Sequence, residues 1–224
     1  MGFSFNGMGG QFTIGVPEKD LMFVCTGDNQ GNEYMQQLIF DSFEEFIYNR
    51  IADKSLAENE EAFNDLENFG NSLKLRICRG EKYSPFSEKI NGKTFICPQN
   101  NCGIEHFRLE FNGDKCEWIY KNAQGEKRLA IGMTYNEFEK FPQLGYSNEH
   151  GGTRTTDGFM YDCAVSGGWI EERKLEIRVQ VIDRYFGNFT AFFNFKDDEC
   201  FVRIVKTAED FFKEYQGEFT AKMQ

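Results

Sequence analysis

The sequence predicts an α+β protein that is mainly β. An N-terminal β-hairpin with a long helix comes first, then an antiparallel meander forming a barrel or curled sandwich, and last a short C-terminal helix. Three observations predict it. Nine short β-rich runs follow one another between residues 74 and 205, separated by turns such as FNGDK, NAQGE and FKDDE. Strands in series joined by hairpins make antiparallel meanders, and that many rarely stay flat. Alternation inside the runs marks half-buried strands: LEIRVQVID sets Leu175, Ile177, Val179 and Val181 on one face and Glu176, Arg178 and Gln180 on the other. An apolar stripe with helical steps sits near the N-terminus instead.

The elements follow in order. QFTIGV (11–16) and DLMFVCT (20–26) read as strands around Pro17-Glu18-Lys19-Asp20, where proline is set early in the turn. In EYMQQLIFDSFEEFIYNRI, Met35, Leu38, Ile39, Ser42, Phe43, Phe46 and Ile47 fall at steps of three and four, predicting one helix up to residue 51 with Asn32 as its cap. Residues 52–70 are acidic and polar and read as a linker carrying a short helix, which makes them the domain boundary. The predicted organisation is therefore 1–51, the linker 52–70, and a β-rich domain at 71–224. Its strands are KLRIC, GKTFIC, EHFRLEF, CEWIY, EKRLAIG, GFMYDCAV, KLEIRVQVI, FTAFFNF and CFVRIV. TAEDFFKEYQG closes the chain as a helix capped by Thr207, with Asp210 three residues on and Gly217 as its stop.

Composition narrows the function. The 224 residues suffice for one large domain or two small ones, and 25 of them are Phe, enough for long core strands or a lined cavity. The formal net charge is −11 with no cluster of Lys and Arg, which excludes a nucleic-acid footprint and disfavours an anionic membrane surface. No apolar run approaches the ~20 residues of a membrane helix. MGFSFNGMGG lacks the basic start and apolar stretch of a signal peptide. The expected location is cytoplasmic, or exported only if an upstream signal segment is missing. The seven cysteines sit mostly in apolar runs and read as small buried hydrophobes; Cys97 and Cys102 in CPQNNC are close enough for a clip or a metal, but a second ligand pair is absent.

The chemistry is sparse. The two histidines, His106 and His150, have no partner at metal spacing, so no metal and no cofactor is expected. There is no G-x-S-x-G, and no serine is followed three residues later by lysine. Gly7, Gly9 and Gly10 lack the lysine of a phosphate loop, and a strand follows them where a helix would be needed. The acidic pairs Glu44-Glu45, Glu60-Glu61 and Asp197-Asp198 fall on solvated faces or turns. The long polar loop FPQLGYSNEHGGTRTTDG, with Tyr146, His150 and Arg154, is the candidate binding region of the second domain.

The opening G-x-G-G-Q, strand, Pro-Glu-x-Asp turn, strand and amphipathic helix resemble the end of the catalytic domain of serine β-lactamase-related hydrolases, the class C β-lactamase, D,D-peptidase and esterase relatives. The later runs GKTFIC, FPQLGYS, CAVSGGW and KTAEDFFKEYQG are similar to the β-rich C-terminal extension of such enzymes. The resemblance implies that Ser4, Asn6, Gly7, Gly9 and Gly10 are the remnant of an active-site strand edge. The family's nucleophilic serine with its lysine, and its Tyr-x-Asn, lie upstream of that strand and are not in this chain; where a basic residue belongs, the chain has Ser-Phe-Asn-Gly. No catalytic residue is therefore expected, and the chain alone is expected to be inactive, since acyl transfer needs nucleophile, base and oxyanion hole together. The implied role is an accessory or substrate-positioning portion of such a hydrolase, partnered by the missing catalytic portion or by a second copy through the N-terminal hairpin. The alternative is a lipocalin-like small-ligand-binding barrel with an aromatic interior. A stand-alone enzyme working from loop 141–158 is the least favoured reading.

Overall fold

The computed structural model describes residues 2–7, 9–27, 29, 34–52, 54–143, 160–183, 187–208 and 212–224. The chain divides into two units, Met1–Leu75 and Arg76–Gln224.

The first unit is built on a three-stranded antiparallel sheet of β1 (Phe3–Gly7), β2 (Gln11–Val16) and β3 (Leu21–Cys25), in that order. Gly9 and Gly10 make the first turn at φ 78° and 79°, a region closed to most side chains. Pro17 opens the second turn, and Asp20 completes it at φ 48° with its N–H donating to the Pro17 carbonyl at 3.1 Å. Alternation along β2 sends Phe12, Ile14 and Val16 to one face. Helix α1 (Met35–Phe46) covers that face: Phe40 meets Phe12 at 4.9 Å between ring centres, and Phe43 meets Phe23 at 5.1 Å. The helix is shorter than its apolar stripe predicts. It ends at Phe46, passes into a 3-10 turn at Tyr48–Arg50, and buries Phe43 while leaving Leu38 and Phe46 exposed. The predicted cap Asn32 lies outside the described residues. A second helix, α2 (Glu60–Ser72), starts where Asn59 Oδ1 accepts the Ala62 N–H at 3.0 Å, and all its residues are exposed.

The second unit is a closed nine-stranded β-barrel. A short helix, α3 (Phe86–Ile90), precedes β4 (Thr94–Ile96), β5 (His106–Asn112), β6 (Lys115–Asn122), β7 (Gly125–Met133), β8 (Glu137–Lys140) and β9 (Asp162–Glu171). Then come β10 (Lys174–Val181), β11 (Asn188–Lys196), β12 (Glu199–Thr207) and β13 (Gly217–Met223). The ring runs β10-β11-β12-β13-β4-β5-β6-β7-β9 and closes back on β10, which leaves no free edge in the ring. Neighbours are antiparallel except β7 and β9, which run parallel through Gly132↔Ser166 and Met133↔Gly167. At that seam β8 takes over the edge of β9, pairing Glu137–Lys140 with Val165–Asp162. The predicted turns hold: Gly113 and Asp197 adopt φ 63° and 55° in the hairpins β5–β6 and β11–β12.

Three expectations are corrected. KLRIC is not a barrel strand. Its end crosses β9 as a strap: the Cys78 N–H donates to Ser166 Oγ at 2.9 Å, and Glu81 exchanges backbone hydrogen bonds with Trp169 at 2.9 and 2.8 Å. The crossing needs glycine. A Cβ on Gly80 (φ 120°) would lie 2.4 Å from the Trp169 carbonyl oxygen, and one on Gly168 2.6 Å from that of Arg79. The C-terminal helix is absent among the described residues. Thr207 ends β12 and Gly217 opens β13, in which Phe219 and Ala221 point inward between exposed Glu218, Thr220 and Lys222. Asp210 lies outside the described residues. Strand β8 was not expected, because EFEK carries one apolar residue, Phe138, and that residue is exposed.

Candidate functional site

Inward positions of the barrel strands alternate with polar outward ones, so the interior collects the large side chains. Phe95 stacks on Phe107 at 5.0 Å; Phe107 meets Phe193 at 5.4 Å, and Trp118 meets Phe193 at 5.3 Å, nearly perpendicular. Towards α3, Trp169 lies 6.0 Å from Phe195 and 5.6 Å from Phe111, and Phe86 adds the α3 side of the closure 5.5 Å from Phe195. Edge-to-face and tilted pairs of this kind are the favoured arrangements of aromatic rings.

The other end is closed by residues outside the strands. Phe141, after β8, and Phe212 and Tyr215, between β12 and β13, form a plug on Phe189, with Tyr215 stacked on it at 4.7 Å. A chain of polar atoms holds the plug. Tyr215 Oη donates to Gln143 Oε1 at 2.8 Å and Gln143 Nε2 donates to Glu214 Oε1. Tyr215 has spent its one proton, so at 2.6 Å Tyr120 Oη donates to Tyr215 Oη. Burial pushes the Tyr120 hydroxyl well above its ordinary range, and it stays protonated.

Among the described residues, the indole N–H groups of Trp118 and Trp169, whose side chains are 0% and 2% exposed, find no hydrogen-bond acceptor. A buried unpaired donor costs about 1–3 kcal/mol, so most buried polar groups in folded proteins are paired. Both indoles belong to the aromatic core that also contains Phe193 and Phe195.

Burial works against thiolate chemistry at six of the cysteines. Burial raises the Cys78 and Cys97 thiols to about 12 and Cys102 to about 11, and drives those of Cys116, Cys163 and Cys200 upward as well. A thiol held protonated is neither a nucleophile nor a metal ligand. Cys97 and Cys102 are free thiols and form no clip. On the barrel wall, burial lifts the Glu139 carboxyl to about 7, although it accepts the Ala130 N–H at 2.5 Å. That N–H sits on β7 below its short pairing with β9, so Glu139 satisfies a ladder donor left open by the seam.

The residues singled out from sequence fall in two places. Ser4, Asn6 and Gly7 lie along β1, exposed, and Gly9 and Gly10 form the turn beside them, so one hairpin brings all five together. Asn29 packs against that turn: its N–H donates to the Gly9 carbonyl at 2.9 Å, and its side-chain nitrogen lies 2.9 Å from where a Cβ on Gly10 would be. Tyr146, His150 and Arg154 lie outside the described residues. His106 stands on β5, paired with Ile96 and Lys121. Sequence reasoning passed over Trp118, Trp169, Tyr120 and Tyr215. The signal that could have found the first three is a polar-tipped aromatic at an inward step of a strand.

No protein-family model matches the chain. No curated protein matches it either. Among solved structures the chain is similar to the fatty-acid-binding protein isolated from Manduca sexta, at 10% identity and a TM-score of 0.39, covering 59% of this chain and 98% of that one. It is likewise similar to the fatty acid-binding protein in brain tissue of Drosophila melanogaster, at 8% identity and a TM-score of 0.39, with the same coverage. No helix among the described residues is long and apolar enough to cross a membrane.

Proposed function

We propose that the barrel of residues 76–224 binds a small apolar molecule that carries a hydrogen-bond acceptor, inside the strands and against Trp118 and Trp169. The observation that carries this reading is the pair of buried indole N–H groups without partners among the described residues, in an interior lined by aromatic rings. An acceptor on a ligand removes the desolvation cost of those donors, and the rings supply the apolar contact. The interior rings touch, so an entering molecule has to displace side chains. Phe141, Phe212 and Tyr215 stand outside the strands, so their side chains can swing aside while the strand backbones stay paired. The chain's only two tryptophans are these two, so their emission reports the site directly. Titration with a long-chain fatty acid, and in parallel with the acceptor-free alkane of the same length, should give a saturable emission change and a raised Tm for the acid alone. No change with either, at concentrations up to the solubility limit, overturns the reading.

A second reading follows from the resemblance to serine β-lactamase-related hydrolases: the chain is an accessory C-terminal portion of such an enzyme. It is favoured by the order and packing of the first unit, a glycine-turned strand pair, a Pro-Glu-Lys-Asp turn, a third strand and a helix lying on the sheet. The purified chain should then hydrolyse neither nitrocefin nor p-nitrophenyl esters, and turnover of either would overturn this reading.

A further inference from the structure

Among its described residues the first unit leaves two apolar faces without cover. The sheet has one face on α1. On the other, the cross-strand rows Phe3–Gly15–Met22 and Phe5–Thr13–Val24 stand open. Phe3, Phe5, Met22 and Val24 are 47%, 68%, 66% and 60% exposed, and no charged residue interrupts those rows. The tip of the Phe3 ring lies over Gly15, where a Cβ would come within 2.3 Å of it. The second face is on α2. Phe63, Leu66 and Phe69 recur at three-residue steps, and Leu73 follows just past the helix end on the same side. They are 63%, 69%, 63% and 66% exposed. A helix of this length is marginal in water on its own and is normally held by packing of its apolar stripe.

We propose that the two faces cover each other between two copies of this chain, α2 of each copy lying across the open sheet face of the other. Within the first unit, no described element covers either face. The reciprocal exchange satisfies both at once, and it is isologous, as the contacts of most small dimers are. The connection from Ile51 to Asn59 is long enough to carry α2 away from its own sheet, since an extended residue spans about 3.3 Å. A specific interface buries roughly 800 Å² per partner. Eight large apolar side chains per copy, each about half exposed or more, supply area of that order. An uncharged sheet face accepts the acidic α2 (Glu60, Glu61, Asp65, Glu67) without like-charge repulsion, because the carboxylates sit off the stripe.

The test is the mass of the full chain by light scattering and sedimentation across micromolar concentrations. A particle of twice 26.0 kDa is expected. Leu66→Asp with Phe69→Asp should yield monomers, and so should Phe5→Asp with Met22→Asp; all four sites are exposed, and unchanged Trp118 and Trp169 emission confirms an intact barrel. Mixing the two double variants should restore a heterodimer, since one α2 and one sheet face remain matched. A monomeric wild type overturns the proposal, as does a dimer that survives both double variants or a mixture that stays monomeric.

Discussion

The barrel and the N-terminal unit are made from the same kinds of residue and use them in opposite ways. In the barrel one cluster of buried side chains runs from Phe86 and Ile90 of α3 to Phe212 and Tyr215 of the plug, with most members at 0–2% exposure. In the N-terminal unit the corresponding cluster is Ile14, Val16 and Phe43, with Leu21, Phe23, Phe40, Ile47 and Tyr48 packed against it. The difference is topological. A sheet that closes on itself has one inside, and every inward side chain finds neighbours there. A three-stranded sheet has two faces and two edges, and one helix can cover only one face. Apolar content therefore does not measure stability; closure decides how much of it is buried.

The largest expected effect tests that contrast directly. Phe193 is fully buried against Phe107, Trp118 and Phe195. Phe193→Ala should cost the barrel about 3–5 kcal/mol, because the cavity adds to the lost transfer energy. Leu56, at 84% exposure, makes the opposite case, and Leu56→Ser should change stability by less than about 0.5 kcal/mol. Urea unfolding followed by tryptophan emission reads the first, since both tryptophans are in the barrel; circular dichroism follows the second. A small shift for Phe193→Ala would mean that the interior is looser than its ring contacts describe.

A second, somewhat smaller effect concerns the strap. Gly80 combines a φ of 120° with a carbonyl where a Cβ would sit. Gly80→Ala should cost about 1–3 kcal/mol from backbone strain, and more if the strap lifts. If it lifts, the Glu81–Trp169 hydrogen bonds are lost and the Trp169 emission maximum moves to the red. A neutral outcome would show that the segment before α3 contributes nothing to the barrel.

What was legible in the sequence follows the same contrast between the two units. β-rich runs between turn residues located β5, β6, β7, β9, β10, β11 and β12, and β10, with one wet and one dry face, writes a period-two alternation into its residues. The plug is written in a misleading pattern. Phe212 and Tyr215 are three residues apart and flanked by acids, as on a helix, but both point into the barrel mouth, where no local periodicity records them. The strap has alternating residues and is no strand, since its crossing depends on Gly80 and on Gly168 of β9, which only contact across the chain reveals. For the candidate site, the aromatic richness was visible, but the partnerless indoles were not. Whether a tryptophan N–H meets an acceptor depends on neighbours far away in sequence.

The plug supplies the third prediction. Tyr215→Phe keeps the stacked ring on Phe189 and removes the hydroxyl between Tyr120 and Gln143. The Tyr120 hydroxyl then stays buried without its acceptor, so the barrel should lose about 1–2 kcal/mol. If the plug is the way in, the same variant should also speed ligand association in stopped-flow fluorescence. Unaltered association with the stability loss intact would place the entry elsewhere.

The smallest effect is the one with a pH signature, and it sits at the seam where closure is least regular. The Glu139 carboxyl is lifted by burial to about 7 from an ordinary 4.5, with Glu137 and Glu117 adding to the rise. A carboxyl with a raised native pKa binds its proton more tightly folded than unfolded. Its contribution is therefore fully present below the unfolded value and is lost as pH rises through about 7. Glu139→Gln keeps an oxygen for the Ala130 N–H and cannot ionise. The variant should match the wild type at pH 4 and exceed it in Tm at pH 8, with the gap opening between those values. A gap that is constant with pH would mean that Glu139 acts at the seam through its shape and hydrogen bond alone. A gap of the opposite sign would mean that the charged carboxylate has a cation opposite it in solution. Either result would remove ionisation of the half-buried acid as a pH-dependent contribution at the parallel seam.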